Sequence, residues 1–234
     1  GYGYGLDPTI ILVLIGVALS LWAQGRVNST FSRYSRVRSM TGMTGAEAAR
    51  RLLNAQGIYD VTVQQIAGEL TDHYDPRTKT VNLSQSVYGA TSVAAIGVAA
   101  HECGHAMQDN EGYAPLRFRS ALVPVANFGS SLSWPLILLG LVFGGLGSPL
   151  VEIGILMFSL AVLFQLVTLP VEYNASARAV RLLDAQGILA GEEVNGTRKV
   201  LNAAALTYVA AAATSILQLL RLIILFGGRN RRDR

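Results

Sequence analysis

Five consecutive residues, His101-Glu102-Cys103-Gly104-His105, carry the clearest chemistry in this sequence. On a helix, residues four apart are offset by about 40°, so His101 and His105 lie on one face. Two imidazoles one turn apart can share one tetrahedral zinc ion. Glu102 stands beside them, where its carboxylate can act as general base on a zinc-activated water and then return the proton to a leaving amine. Gly104 lowers helix stability by about 1 kcal/mol relative to Ala; close approach by another backbone or by substrate would give it a reason. Cys103 projects off the histidine face and reads as packing rather than as a ligand. With only three histidines in the chain, a chance H-E-x-x-H is on the order of one in a thousand. The plain alternative, a helix that merely packs two histidines, gives no reason to spend polar residues in an Ala-rich apolar segment.

A structural zinc site is closed by four protein ligands, whereas a catalytic one keeps a position open. Cys103 is the only thiol and His73 the only other imidazole, so a closed Cys/His site cannot be built from this chain. The third ligand is therefore a carboxylate or His73. Glu111 stands six residues after His105, where a metzincin places its third ligand, but that geometry needs a glycine turn at position 108, which here is Gln108. Glu172 opens a helix with Ala175, Ser176 and Ala179 on the same face, small enough for close packing on the histidine helix. Two apolar spans separate His105 from Glu172, which returns the chain to the same side of a membrane. The expectation is one Zn2+ per chain on His101, His105 and a third ligand, with Glu172 ahead of Glu111 and His73.

The elements that must hold this motif are mostly apolar. Only 15% of the 234 residues are charged, against about 25% in a soluble domain, so lipid is expected to be part of the solvent. The first apolar run covers about Thr9 to Ala23. It has no Lys or Arg before it, with Asp7 its only preceding charge, and so lacks the basic flank of a cleaved signal peptide and reads as an anchor helix. The sequence starts at Gly1 rather than Met, and the expectation is that a residue or tag was removed. No charge occurs from Ser120 to Val151 or from Ile153 to Val171; each stretch can cross a bilayer core, which takes roughly 20 helical residues. Glycines and Pro149 between them predict a transmembrane hairpin with its tip at Gly147 to Pro149. A separate helix is expected from Pro170 to Gln186, stopped by Gly187. The uncharged stretch Val200 to Leu220 forms a last membrane-associated helix, followed by Arg221 and a short apolar tail.

Between anchor and hairpin lies the polar part. Thr44 is the expected N-cap of a helix through Leu52 and Leu53 that ends at Gly57. Tyr59 to Ile66 alternates as a strand, Asp75-Pro76-Arg77-Thr78 reads as a turn, and Thr80 to Leu83 as the returning strand. A helix from Ser92 to Asp109 carries the histidine pair. Arg51 to Ile58 and Arg181 to Ile188 echo each other, as expected of two helix ends that share a left-handed glycine cap. The expected fold class is α+β, a mainly helical membrane protein: a zincin-like active-site helix and a small β-hairpin with three to four membrane helices. The parts are an anchor over 1–24, a catalytic part over 25–119, a transmembrane hairpin over 120–170, a helix with the third zinc ligand over 171–199, and a C-terminal membrane-associated helix with basic tail over 200–234.

The single cysteine requires no oxidising compartment. Net charge is +4, but the arginines cluster: Arg26, Arg33, Arg36 and Arg38 follow the first span, and Arg229, Arg231, Arg232 and Arg234 end the chain. These clusters flank apolar spans and lack interleaved aromatics, so they read as membrane flanks and no nucleic acid is expected as a partner. The first cluster argues for a cytoplasmic location of the C-terminal side of that span, and with it of the active site, in a multi-pass protein. The terminal cluster argues for the same side at the chain end, which a fourth full crossing would contradict unless the last segment is re-entrant or lies along the membrane.

The stretches Glu69 to Val81, Ala99 to Ala106 and Leu169 to Ser176 resemble the bacterial membrane-bound neutral zinc metallopeptidases of YugP type, and the resemblance extends over nearly the whole chain. The order of zinc helix, transmembrane hairpin and E-x-x-A helix is also similar to the HtpX heat-shock peptidases and the prenyl-protein proteases. This resemblance implies His101, His105 and Glu172 as ligands and Glu102 as base. It departs at Ser176, where those distant relatives carry an Asp that would hydrogen-bond a ligand imidazole. In zinc peptidases of this kind an edge strand before the zinc helix binds substrate as an added strand, which implies Lys79, Thr80, Val81, Asn82, Leu83 and Ser84 as the substrate-binding segment. Tyr208 on the last helix is a further candidate, for the oxyanion, with an aromatic packing role equally open. The expected function is a zinc-dependent endopeptidase acting on peptide or membrane-protein substrates in the bilayer; the alternative is a non-proteolytic scaffold or adaptor with a vestigial zinc site.

Overall fold

The structure is a computed structural model and describes residues 7–146 and 148–227. Its elements are α1 (Ile10–Ser35), α2 (Gly45–Ala55), β1 (Thr62–Ile66), β2 (His73–Asp75), β3 (Thr80–Ser84), α3 (Gln85–Tyr88), α4 (Val93–Glu111), α5 (Ala114–Gly144), α6 (Pro149–Ala185) and α7 (Glu192–Phe226). The chain is α+β and mainly helical. Four helices, α1, α5, α6 and α7, are long and apolar enough to cross a membrane. Gly147, in the expected hairpin tip, and the arginines from Arg229 onward lie outside the described residues.

The chain divides into two compact units. The first consists of Gln24–Arg117 and Pro170–Leu206. Its α2 starts at a capping box: the Thr44 hydroxyl accepts from the Glu47 N–H, and the Glu47 carboxylate reaches back to the Thr44 N–H. Its end and that of α6 are built alike. Gly57 and Gly187 hold φ of +70° and +65°, and the N–H groups of Ile58 and Ile188 return to the carbonyls of Leu53 and Leu183 at 2.9 and 3.0 Å. Both isoleucines are buried, as the apolar contact of such a cap requires. Ser92 caps α4 by accepting from the Ala95 N–H, and Gly112 ends it in the left-handed conformation. Nearly all of α4 is buried, its alanines and Ile96 packing with Leu52, Leu53, Val81, Leu83 and Leu183 in one core.

The sheet departs from the expected hairpin. Its order is β1-β3-β2: β3 runs parallel to β1 and antiparallel to β2. The turn at Pro76 therefore joins β2 to β3, and the Tyr59 to Ile66 strand is not its partner in a hairpin. This overturns the reading of Lys79 to Ser84 as a substrate-binding edge. The segment is the central strand, with β1 on one side and β2 on the other, and all of Thr80–Ser84 is buried. The Ser84 N–H, beyond the reach of β2, donates to the Asp72 carboxylate at 2.7 Å, and the Lys79 ammonium is taken by Asp60 at 2.7 Å. No row of backbone donors and acceptors is left there for an added strand.

The second unit consists of Gly1–Ala23, Phe118–Leu169 and Thr207–Arg234. Large apolar side chains face outward on it, among them Leu14, Leu21, Val142, Phe143, Leu156 and Ile224, the pattern of helices that meet lipid rather than water. The Arg221 guanidinium bonds both Thr9 Oγ1 (3.2 Å) and Asp7 Oδ2 (3.3 Å), while the Thr214 hydroxyl donates to the Gly16 carbonyl. The first and last helices thus lie side by side and antiparallel. Pro170 does not open a new helix as expected. It lies inside α6, which is continuous over 37 residues. Its ring withholds only the bond that would reach the Leu166 carbonyl, and the flanking turns keep theirs. The last segment is likewise one unbroken helix of 35 residues.

Candidate metal centre

The periodicity of α4 sets the two imidazoles edge to face, with ring centroids 4.8 Å apart. Helix α6 supplies the third group. Glu172 Oε2 lies 2.9 Å from His101 Nε2 and 3.3 Å from His105 Nε2. Among the described residues these three form the group able to hold a metal, their donor atoms all within 4.8 Å of one another. Gly104 makes this approach possible. A Cβ there would stand 2.4 Å from the Ala175 carbonyl oxygen, so the backbones of α4 and α6 touch between the two histidines on one helix and Glu172 on the other.

The far sides of both rings are held as well. Ser176, one turn past Glu172, puts Oγ 2.9 Å from His101 Nδ1. Gln108, one turn past His105, puts Oε1 2.9 Å from His105 Nδ1. The orientation of that amide follows from its other partners. Gln108 Nε2 donates to the Val171 carbonyl at 2.9 Å and to Asn174 Oδ1 at 3.0 Å, and Asn174 Oδ1 also accepts from Arg178 Nε at 2.7 Å. Arginine only donates and a backbone carbonyl only accepts. The Gln108 oxygen must therefore face His105, whose Nδ1 must carry the hydrogen. Arg178 is anchored in turn by Glu111, which accepts from both Nη atoms at 2.8 and 2.6 Å.

This chain of donors tests whether a cation fits. With its hydrogen fixed on Nδ1, a neutral His105 presents a lone pair at Nε2. Opposite it, 3.3 Å away, is a carboxylate oxygen that also only accepts. Two facing acceptors buried this deeply are unfavourable unless a proton or a metal cation stands between them. Two imidazole nitrogens and one carboxylate oxygen suit zinc, and bonds of about 2.0 Å at tetrahedral angles put donor atoms roughly 3.3 Å apart.

The other sequence candidates are engaged elsewhere. Glu111 is paired with Arg178, whose hydrogen bonds hold its carboxyl below the ordinary value. His73 is exposed and sits between the Thr71 carbonyl and the Asn82 amide. Cys103 is buried against the Ala49 carbonyl, and burial pushes its thiol far up, away from the thiolate a metal would need. Glu102, next to His101, is 9% exposed. Tyr208 lies on α7. The sequence reading missed Gln108 and Asn174; Gln108 opens the polar run Gln108-Asp109-Asn110-Glu111 and carries no local sign that it is buried.

A family described as "putative neutral zinc metallopeptidase" matches residues 9–227. The chain belongs to this family. It is 49% identical over 217 residues to the "putative membrane protease YugP" of Bacillus subtilis strain 168, covering 93% of this chain and 96% of that protein. No solved structure matches. The match spans every element named above, including the four apolar helices.

Proposed function

We propose that this chain is an integral-membrane endopeptidase that hydrolyses peptide bonds with one zinc ion held by His101, His105 and Glu172. The observation that carries this reading is the grouping of two imidazole nitrogens and one carboxylate oxygen on the facing helices, with Gln108 accepting from His105 Nδ1 and so turning His105 Nε2 toward Glu172. Zinc bound there would supply Lewis acidity to the scissile carbonyl and to the attacking water. Glu102 takes the proton that this water loses and delivers it to the leaving amide nitrogen. The Ser176 hydroxyl and the Gln108 amide keep both rings turned toward the ion. The substrate is a peptide segment of a membrane or membrane-adjacent protein, and the arginines after the first span put this chemistry on the cytoplasmic side of a bacterial inner membrane.

The test uses full-length protein in liposomes with unfolded membrane proteins as substrates. Glu102→Gln is expected to keep its zinc and lose at least about a hundredfold in rate, the low end for general acid–base catalysis. His101→Ala and His105→Ala are expected to lose the zinc itself. Hydrolysis by Glu102→Gln at the parent rate would overturn the reading and leave a scaffold with a vestigial metal site.

A further inference from the structure

Arg26, Ser29, Thr30 and Arg33 fall at i, i+3, i+4 and i+7 of α1, and therefore on one helical face. Lys199 and Asn202 share a face of α7. Both faces line one open cavity of about 490 Å³. A groove between helices is usually filled by apolar side chains. This one is lined by three cations, the hydroxyl-bearing Ser29, Thr30, Tyr34 and Tyr173 and one amide, with only Ala203 and Leu206 apolar and no carboxylate. Among the described residues, no carboxylate lies within ion-pair distance of Arg26, Arg33 or Lys199. Three like charges around one open cavity give it a positive potential that favours an anion there. Guanidinium forks with hydroxyl and amide donors are suited to the oxygens of a phosphate group.

Position along the chain selects the source of that phosphate. Arg26 is the third residue past the apolar run that ends at Ala23, and Lys199 immediately precedes the uncharged stretch from Val200 to Leu220. Charges that flank membrane-crossing segments stand at the depth of the lipid headgroups. We propose that this cavity binds the phosphate of an anionic membrane phospholipid. The proposal rests on the membrane character of the chain and is independent of the peptidase reading.

The experiment is native mass spectrometry of the full-length chain in an uncharged detergent, titrated with dioctanoyl phosphatidylglycerol. The expected result is one saturable adduct, at least tenfold tighter than with dioctanoyl phosphatidylcholine. Arg26→Gln, Arg33→Gln and Lys199→Gln combined should weaken it on the order of a hundredfold, each basic side chain at an anionic surface contributing roughly a factor of five. Arg36→Gln, Arg51→Gln and Arg77→Gln combined remove the same charge elsewhere and should leave it intact. Thr30→Trp fills the cavity with its charges in place and should abolish the adduct, a check that holds even if the first triple variant folds poorly. Equal binding of both lipids, or equal loss in the two triple variants, would overturn the pocket. Displacement of the lipid by micromolar inorganic phosphate would overturn the lipid as its ligand in favour of free phosphate.

Discussion

Gln108 shows how one side chain sets the chemistry of another. It is fully buried, and the directions of its three hydrogen bonds follow from the Val171 carbonyl, which only accepts, and from Arg178, which only donates and so orients Asn174. Gln108→Leu keeps the volume but leaves the His105 Nδ1–H without an acceptor and frees the ring to turn. The expected loss in zinc affinity is about 10- to 100-fold, the usual range for partners of metal-bound imidazoles, read by competition with a chromogenic chelator. Glu111→Gln, at the exposed outer end of the same network, is expected to retain zinc at neutral pH, and a large loss there would reopen Glu111 as a ligand. The pH dependence has a definite sign. Protonated imidazole is no ligand, so zinc release should rise as pH falls. Glu111 has a lowered folded-state pKa, so the stability of its pair with Arg178 is present at neutral pH and lost only as pH falls through that lowered value. The acid limb of zinc release, followed by the same chelator, should therefore be the same in Glu111→Gln as in the parent. The histidine pair was legible in the sequence because its spacing is local. Gln108 was not, because its meaning depends on Val171 and Asn174, 63 and 66 residues away.

The contact of α4 with α6 is the element on which the centre depends. Gly104→Ala would drive a methyl group to 2.4 Å from the Ala175 carbonyl oxygen, which is backbone and cannot rotate away. Alanine favours the helix by about 1 kcal/mol, while overpacking of this kind costs typically 1–3 kcal/mol. The expected outcome is a lower unfolding midpoint together with weakened zinc binding, since separating the helices moves Glu172 from the histidines. A variant with a raised midpoint and unchanged zinc affinity would show that the helices are not held this closely. Gly104 was readable as a site of close approach, and the caps at Thr44, Ser92, Gly57 and Gly187 were readable from local rules. The strand order was not. Which neighbour β3 takes on each side depends on β2, three residues with no alternation to announce them. Pro170 likewise looked like a boundary because proline lacks an N–H, yet in an apolar medium a helix loses more by unwinding than by one missing bond.

At the scale of the whole chain, four crossings would put residues 24–117 and 170–206 on one side of the membrane, as one ion shared by His101 and Glu172 demands. Cysteines placed at Arg77 and Asp184, both exposed, should react with an impermeant maleimide only after cells are permeabilised, whereas one at Leu146, between α5 and α6, should react in intact cells; the native Cys103 is buried and does not compete. Opposite labelling of Arg77 and Asp184 would remove Glu172 from the metal group. The apolar spans were legible because charge is absent from them altogether.

The link between Asp7 and Arg221 joins positions 214 residues apart. At synthesis rates of about 5–20 residues per second, the start of the first helix therefore waits roughly ten to forty seconds for its partner to be made. Assembly of the helix group is closed by a segment translated after the other three apolar helices. A ribosome that stalls before Arg221 leaves an inserted first helix with its acidic end unclasped, which a quality-control protease could read as the mark of an unfinished chain.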